Sequence, residues 1–356
     1  MARLIPELKD ALRRKWIILT HWEYWSFHVV YGPIYLYWFW LSARARSFFF
    51  FSQANPSIEN SGFTGERKSL IYDLIPKQYY PATVLCDGRQ TLTGILSLLE
   101  SSAISFPLIA KPDIGEKGLA VKKIKNAQEL ALYAASATAP FLIQEYIAYE
   151  NEVGIFYCRM PDEQHGYITG VVGKEFLKVT GDGQSTIRSL VRKHPRAFLQ
   201  LAALEKDHSD LMHTVLPVGV SHELVPYGNH ARGAKFIDLT HRVTTQLTAS
   251  INHVCKQIPG FYFGRIDVRY ASWNELCAGR NFSVIELNGA GSEPTHMYDP
   301  DHSIFFAWKE IIRHWNLLFQ ISRLNARLSG KRYLSTAEGL RLLNTHTKYL
   351  RTLGES

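Results

Sequence analysis

The sequence predicts an α+β protein whose sheets are antiparallel, and two observations carry that prediction. The stretches Phe261–Tyr270 and Phe282–Asn288 alternate polar and apolar residues at the period of two that a half-buried strand imposes, so they read as neighbouring strands of one hairpin. Between Phe106 and Val172 the elements run strand, strand, helix, strand, strand, strand with no internal repeat, the order of an α+β unit with an antiparallel sheet.

Taken in order, the turn-rich stretch Asn55–Gly65 marks a boundary near residue 60. A short helix from Glu66 to Leu74 stops at Ile75-Pro76, an extended Pro81–Leu85 follows, and an amphipathic helix covers about Thr91 to Ser101. The strand Phe106–Pro112 ends on a lysine, a loop with two glycines spans Asp113–Gly118, and a return strand covers Leu119–Ile124. A helix over Ala127–Ser136 precedes strands at Phe141–Ile147, Glu152–Met160 and Tyr167–Val172. The tight turn in Lys178–Ile187 supplies Ser185 or Thr186 as a helix N-cap; Pro195 interrupts, and helix resumes to Leu204. Pro217–Lys235 is irregular and polar. Thr240 caps a helix to about Gln257, which Pro259-Gly260 ends before the hairpin. An amphipathic helix from His302 and a basic helical tail over residues 321–356 close the chain.

The totals exclude more than they select. The chain has 356 residues, 46% of them hydrophobic and 20% charged, which suits a globular protein of about two domains. A formal charge of +8 permits contact with phosphates, an anionic membrane face or acidic substrates. Clustered Lys/Arg within a nucleic-acid motif is missing, so no nucleic-acid partner is expected. Cys86, Cys158, Cys255 and Cys277 show no C-x-x-C spacing, which argues against a zinc cluster or a disulfide framework and fits a reducing cytosol.

Residues 16–51 are crowded with aromatic groups and flanked by Arg13, Arg14 and Lys15 on one side and Arg44 and Arg46 on the other. The cleanest apolar run, Val29–Leu41, is short of the ~20 residues that a spanning helix needs, and Gly32-Pro33 breaks it. Aromatic rings with flanking cations suit the membrane headgroup zone; packing on the rest of the protein is the alternative. A secretory signal is rejected, because the apolar stretch lies too far from Met1.

Three groups of residues carry chemistry. In the hairpin, Arg265 and Asp267 share one face, as do Glu286 and Asn288. Paired, they bring two carboxylates, an amide oxygen and a guanidinium to one patch, a donor set that hard divalent cations such as Mg²⁺ prefer. The loop Gly115–Gly118 places backbone N–H groups where they can hold a phosphate, and it matches neither the Walker A nor the dinucleotide fingerprint. An ordinary hairpin tip is the bland alternative there. Asn229 and Arg232 form a third, looser pair, suited to a phosphate or an acyl substrate or else to a solvated loop.

Together these pieces resemble the ATP-grasp superfamily, a fold in which two α+β lobes clamp ATP. The resemblance runs from about Lys68 to Leu318, some seven tenths of the chain. Ile109-Ala-Lys-Pro112 resembles the family's second nucleotide lysine, followed by a phosphate loop at Gly115–Gly118. Lys68 falls where the first lysine is expected. Gln144-Glu-Tyr-Ile147 is similar to the interlobe hinge whose backbone reads adenine, and Glu152 stands where the family has a carboxylate on the ribose. Gly264-Arg-Ile-Asp267 and Ile285-Glu-Leu-Asn288 resemble the motif that holds two Mg²⁺ ions, with Mn²⁺ able to meet the same chemistry. The Gly-Arg-Ile-Asp and Glu-x-Asn elements are similar to D-alanine:D-alanine ligase. The Val179-Thr-Gly-Asp-Gly-Gln-Ser-Thr-Ile187 run and Asn229-His-Ala-Arg-Gly-Ala234 resemble cyanophycin synthetase and the fused glutathione synthetases.

The resemblance implies an ATP-dependent carboxylate–amine ligase that works through an acyl phosphate on small-molecule substrates; its use of ATP points to the cytoplasm, and the aromatic segment points to the inner face of a membrane. Asp267, Glu286 and Asn288 would be metal ligands and Arg265 the contact to the reacting carbon. Lys68, Lys111, Gly115, Gly118, Gln144, Glu145, Ile147 and Glu152 would hold ATP. The implied organisation is an aromatic-rich helical segment over residues 1–60, an ATP-grasp domain over 61–320 with its hinge near 144–148, and the tail. The family's separate N-terminal α/β domain is replaced by the aromatic segment, so substrate identity does not carry over. A nucleotide-binding module without turnover, acting as a membrane-associated sensor or scaffold, is the alternative.

Overall fold

The structure is a computed structural model describing residues 4–115, 118–225, 228 and 230–354. The fold is α+β. Its strands are β1 (Thr83–Cys86), β2 (Leu108–Pro112), β3 (Lys122–Ile124), β4 (Phe141–Glu145), β5 (Asn151–Cys158), β6 (Tyr167–Glu175), β7 (Lys178–Thr180), β8 (Ser221–Glu223), β9 (Lys235–Asp238), β10 (Phe263–Tyr270) and β11 (Phe282–Asn288). One sheet has the order β1-β4-β2-β3, a second β11-β10-β5-β6-β9, and a third pairs β7 with β8. By compactness the chain divides into two units. The smaller comprises the chain up to Ile34 with Gly173–Asp238 and His296–Lys309; the larger comprises Tyr35–Val172, Leu239–Thr295 and the chain from Glu310.

In the larger unit, strand alternation sorts side chains to two buried layers. Val153, Ile155 and Tyr157 of β5 join Ile266 and Val268 of β10 and the apolar face of helix Thr245–Lys256, Leu247, Ile251 and Cys255. The opposite positions, Phe156, Cys158 and Phe263, pack with Phe50, Phe51 and Phe319. Both faces of the central strands are thus dry at one end. The β1-β4-β2-β3 sheet packs on two helices, Leu92–Ser101 and Ala127–Ser136, whose N-caps are Thr91 and Asn126. Each cap side chain accepts a backbone N–H that the helix leaves unpaired, from Gly94 and Glu129 respectively.

The smaller unit has its own core, in which Ile17 packs with Ile187, Val191, Phe198, Leu201 and Leu216. A buried ion pair, Arg196–Glu23, lies within it, and Arg196 also donates to Ala234 O at 3.1 Å. His230 is half-buried there, stacked on Tyr24 and Tyr298, and desolvation followed by the Arg196 charge pushes its pKa down to about 3.

Several element boundaries differ from those the sequence predicts. Thr240 does not cap the long helix: its hydroxyl accepts from Val171 N–H, and Thr244 takes the cap, accepting from Leu247 N–H at 3.1 Å. The irregular stretch after Pro217 contains β8, paired antiparallel to β7 from Lys178↔Glu223 to Thr180↔Ser221. The helix expected from His302 runs over Ile304–Ser329, past the expected start of the tail at 321, and a second helix, Thr336–Gly354, follows a break at Gly330, whose φ of +67° only glycine adopts readily. The apolar run at residues 29–41 breaks at Gly32-Pro33 as predicted, and no helix among the described residues is long and apolar enough to cross a membrane.

Residues 55–63 are built into the larger unit. Asn55, fully buried, donates to Ser61 O and Phe263 O and accepts from the N–H groups of Tyr262 and Phe263, all at 2.8–3.0 Å. One amide thereby joins the Ser61 turn to the start of β10. The chain leaving β11 lies against the same turn: Ala290 and Gly291 N–H donate to Ser61 O and Gly62 O at 2.9 Å. A β-carbon at Gly289 would sit 2.4 Å from Ser61 O, so only glycine permits this approach. Replacing Asn55 by alanine strands Phe263 O and two N–H groups in the core and leaves Ser61 O with the Ala290 donor alone, and we expect a loss of roughly 3–5 kcal/mol of stability. Urea unfolding measures it; a loss under about 1 kcal/mol would show that water replaces the amide.

Candidate active site

Three adjacent strands of the larger unit present one polar face. In β10, Arg265, Asp267 and Arg269 point away from buried Ile266 and Val268. Across the ladder Arg265 is paired with Asn288 and Asp267 with Glu286 of β11; on the other side Arg269 is paired with Glu152 and Asp267 with Gly154 of β5. The metal set predicted from the sequence and the ribose carboxylate Glu152 therefore share a face.

Room for this crowd comes from glycine. A β-carbon at Gly154 would come within 2.8 Å of Asp267 Oδ1 and 2.9 Å of Arg265 Cδ, so glycine is what lets the Arg265–Asp267 pair lie flat across β5. Arg265 Nε donates to Asp267 Oδ1 at 2.8 Å and Nη2 to Oδ2 at 3.3 Å. Its Nη1 makes only long contacts, 3.5 Å to Glu293 O and 3.4 Å to Thr295 Oγ1. The far edge of the guanidinium is thus the part an incoming oxygen displaces at least cost.

A second feature arises from a register irregularity. Asp267 is opposite Glu286, yet the next pair is Val268 with Val284, so Ile285 is an extra residue on β11. Its carbonyl accepts from the Tyr72 hydroxyl and from Lys111 Nζ at 3.3 Å. Lys111, from β2, is buried and also donates to Tyr72 Oη at 2.8 Å and Gln144 Oε1 at 2.9 Å, while Gln144 Nε2 donates to Thr83 Oγ1. Three acceptors match its three protons. Burial brings its pKa down to about 8, and the Glu286 charge acts in the opposite direction.

The remaining predicted residues are placed as follows. Lys68 opens helix Lys68–Leu74; its Nζ donates to Gly115 O, and its N–H donates to Asp113 O at 2.9 Å. Asp113 closes this corner by accepting from Ser69 N–H at 2.8 Å and Ser69 Oγ at 3.0 Å. Gly118 has φ +72°; Glu116 and Lys117 between the two glycines lie outside the described residues. Gln144 and Glu145 are ladder residues of β4, and Glu145 N–H donates to Ala82 O at 2.8 Å. Ile147 is the first of that set beyond the strand, and its carbonyl accepts from Arg269 Nη1 at 3.1 Å. Glu152, buried, accepts from Arg269 Nε at 3.3 Å. Arg232 lies in the short turn His230–Arg232 of the smaller unit, and Asn229 is outside the described residues.

Sequence reasoning missed Tyr72, Asp113, Arg269 and the bulge at Ile285. Arg269 had a legible signal, being two residues beyond Asp267 on the same face. The bulge had none.

The donor set suits a hard divalent cation. Among the described residues no group of three or more His, Cys, Asp or Glu gathers to hold a metal; the expected set has two carboxylates and an amide. Asn288 Nδ2 is buried with no hydrogen-bond partner among the described residues. A stranded N–H costs about 1–3 kcal/mol, and the amide turned over presents a lone pair at that place.

No protein-family model matches the chain, and no curated protein matches it by sequence. Solved structures do resemble it. A bifunctional glutathione synthetase from Pasteurella multocida aligns over 74% of this chain and 37% of its own, with TM-score 0.40 and 15% identity. A D-alanine–D-alanine ligase from Bacillus anthracis aligns over 74% of this chain and 67% of its own, with TM-score 0.40 and 12% identity. A D-Ala:D-Ser ligase from Enterococcus faecalis aligns over 73% and 61%, with TM-score 0.40 and 14% identity. The chain therefore spans little more than a third of the first of these. At that level the likenesses carry no argument about chemistry, which rests on the side chains above.

Lys111 generates a pH test. Its folded pKa of about 8 lies below the ordinary 10.5, so between these values the unfolded chain holds a proton that the folded chain has lost. Stability from this group therefore rises with pH through that window, by on the order of 3 kcal/mol. Urea unfolding at about pH 7.5 and about pH 10 should show the rise in the wild type relative to Lys111→Met. Equal pH dependence in both proteins removes the buried-ammonium assignment.

Proposed function

We propose that this chain is an ATP-dependent carboxylate–amine ligase of ATP-grasp type, acting through an acyl phosphate at the cytoplasmic face of a membrane. The observation that carries the reading is the single strand face on which Asp267 pairs with Glu286 and Arg265 with Asn288, with Lys111 near enough for the Glu286 charge to act on it. A purely structural sheet has little use for such a set, because acidic residues and asparagine are depleted in strands and buried charge is costly.

Each residue type has a job. Lys111 and Lys68 offset charge on the α- and β-phosphates, and backbone N–H groups of the loop from Gly115 to Gly118 cover the γ-phosphate and shed water. Glu152 takes the ribose hydroxyls, and the main chain from Gln144 and Glu145 to Ile147 borders the adenine. Asp267, Glu286 and Asn288 would hold Mg²⁺, two ions in this reading, which when bound supplies charge neutralisation at the phosphate oxygens. The substrate carboxylate, steered by the outer edge of Arg265, attacks the γ-phosphorus; the bond to the β-phosphate oxygen breaks and ADP leaves. An amine nitrogen then attacks the acyl carbon, Arg265 stabilises the oxyanion, phosphate departs and the nitrogen loses a proton.

With ATP, Mg²⁺ and mixed amino acids, ADP and phosphate release should fall by about 10²-fold or more in Asp267→Asn and in Glu286→Gln. Turnover unchanged by both substitutions removes the metal assignment. Tight ATP binding by the wild type with no release under any substrate mixture favours the non-catalytic module instead. Where nucleotide binding is measured against pH, affinity should fall above about pH 8 as Lys111 loses its proton.

A further inference from the structure

Among the described side chains, helix Leu4–Thr20 is held to the smaller unit by one side. Asp10 forms an ion pair with Arg192, Arg13 lies over the Phe198 ring at 4.5 Å, and Ile17 is 5% exposed within the core. These positions fix the helix in rotation. The opposite face carries Leu8, Leu12, Trp16 and Leu19, exposed by 62%, 58%, 65% and 67%. Spacings of four, four and three place all four in one stripe. At about 100° per residue, exposed Lys15 falls about 20° outside one edge of the stripe and exposed Lys9 about 20° outside the other.

From this geometry we infer that the stripe Leu8–Leu12–Trp16–Leu19 is the membrane-docking face of the protein, and that its ligand is an anionic lipid surface. The inference rests on the membrane part of the proposed function and relocates it. The aromatic run at Phe49–Phe51, which the sequence places in the candidate membrane segment, belongs to the core of the larger unit. The docking stripe instead begins at Leu8, ahead of that run. An apolar face about 80° wide with one lysine at each edge lies shallowly in a headgroup layer, with the indole at the boundary and each ammonium reaching lipid phosphates. A second copy of this chain is a poorer occupant, since a two-fold contact of this face with itself brings lysine rims of the same sign together. The larger unit separately exposes Leu36, Phe39 and Trp40 on helix Tyr35–Ala45, with Phe48 edge-on to Phe39 at 6.0 Å and Arg44 over the Trp40 ring at 4.6 Å. That is a second surface of the same chemistry.

The test uses the full chain with phosphatidylcholine vesicles made with and without phosphatidylglycerol. The wild type should co-sediment with the phosphatidylglycerol vesicles. The double change Leu12→Ser with Trp16→Ser should lower that partitioning at least tenfold while circular dichroism stays unchanged. Lys9→Glu with Lys15→Glu should abolish the preference for the anionic vesicles. Wild type that binds neither vesicle ends the membrane reading and this inference together. Wild type that binds, with the Leu12/Trp16 variant binding equally well, overturns the stripe and leaves the membrane reading standing. A wild-type dimer in sedimentation velocity that the same variant converts to monomer assigns the stripe to a contact between copies and overturns the lipid.

Discussion

A primary ammonium removed from water is costly unless each of its protons meets an acceptor, and Lys111 sits in that position with Tyr72, Gln144 and the Ile285 carbonyl around it. The three acceptors come from three different elements: the helix after residue 67, strand β4, and the bulge in β11. The ammonium therefore ties the four-stranded sheet to the strand bearing Glu286 and Asn288. Much of the candidate site depends on this one satisfied cation. Its proton affinity is also set by the same packing, burial lowering it and Glu286 raising it.

The other constraint is steric. A strand face carrying Arg265, Asp267 and Arg269 next to Glu152 is crowded, and the chain relieves it by having glycine at 154. Charge is then arranged in alternation. Arg265 is held to Asp267 and Arg269 to Glu152, and each guanidinium also reaches a neighbouring carbonyl or hydroxyl. Arg269 in particular reaches the chain just beyond β4, so the strand that bears Asp267 also restrains the segment at Ile147. Pairing of this kind adds little net stability but fixes orientation, which is what positioned chemistry requires.

The aromatic N-terminal stretch serves two physical ends that composition alone does not separate. Leu41 and the rings of Phe49–Phe51 pack into the core shared with Phe319, whereas helix Leu4–Thr20 turns its apolar stripe to solvent. Both are rich in large apolar groups. Only the neighbours differ, and neighbours are a property of the fold.

What the sequence determined by itself was set by local periodicity and local chemistry. Period-two alternation identified β10 and β11 and the faces of their polar residues; Ser185-Thr186 marked a helix start, and Thr186 is the cap because its side-chain oxygen accepts the orphan N–H of Ser189. Lys111 at the end of β2 and the break at Gly32-Pro33 were legible on the same grounds. Tertiary structure alone decided which polar groups find one another. It took Thr240 from helix cap to partner of Val171 and added one residue to β11 at Ile285. It placed Tyr72 beside Lys111 and Arg269 beside Glu152, and it chose which aromatic rings are buried. These outcomes depend on long-range contacts whose energies exceed local propensities by small margins, and no pattern within a few residues encodes them.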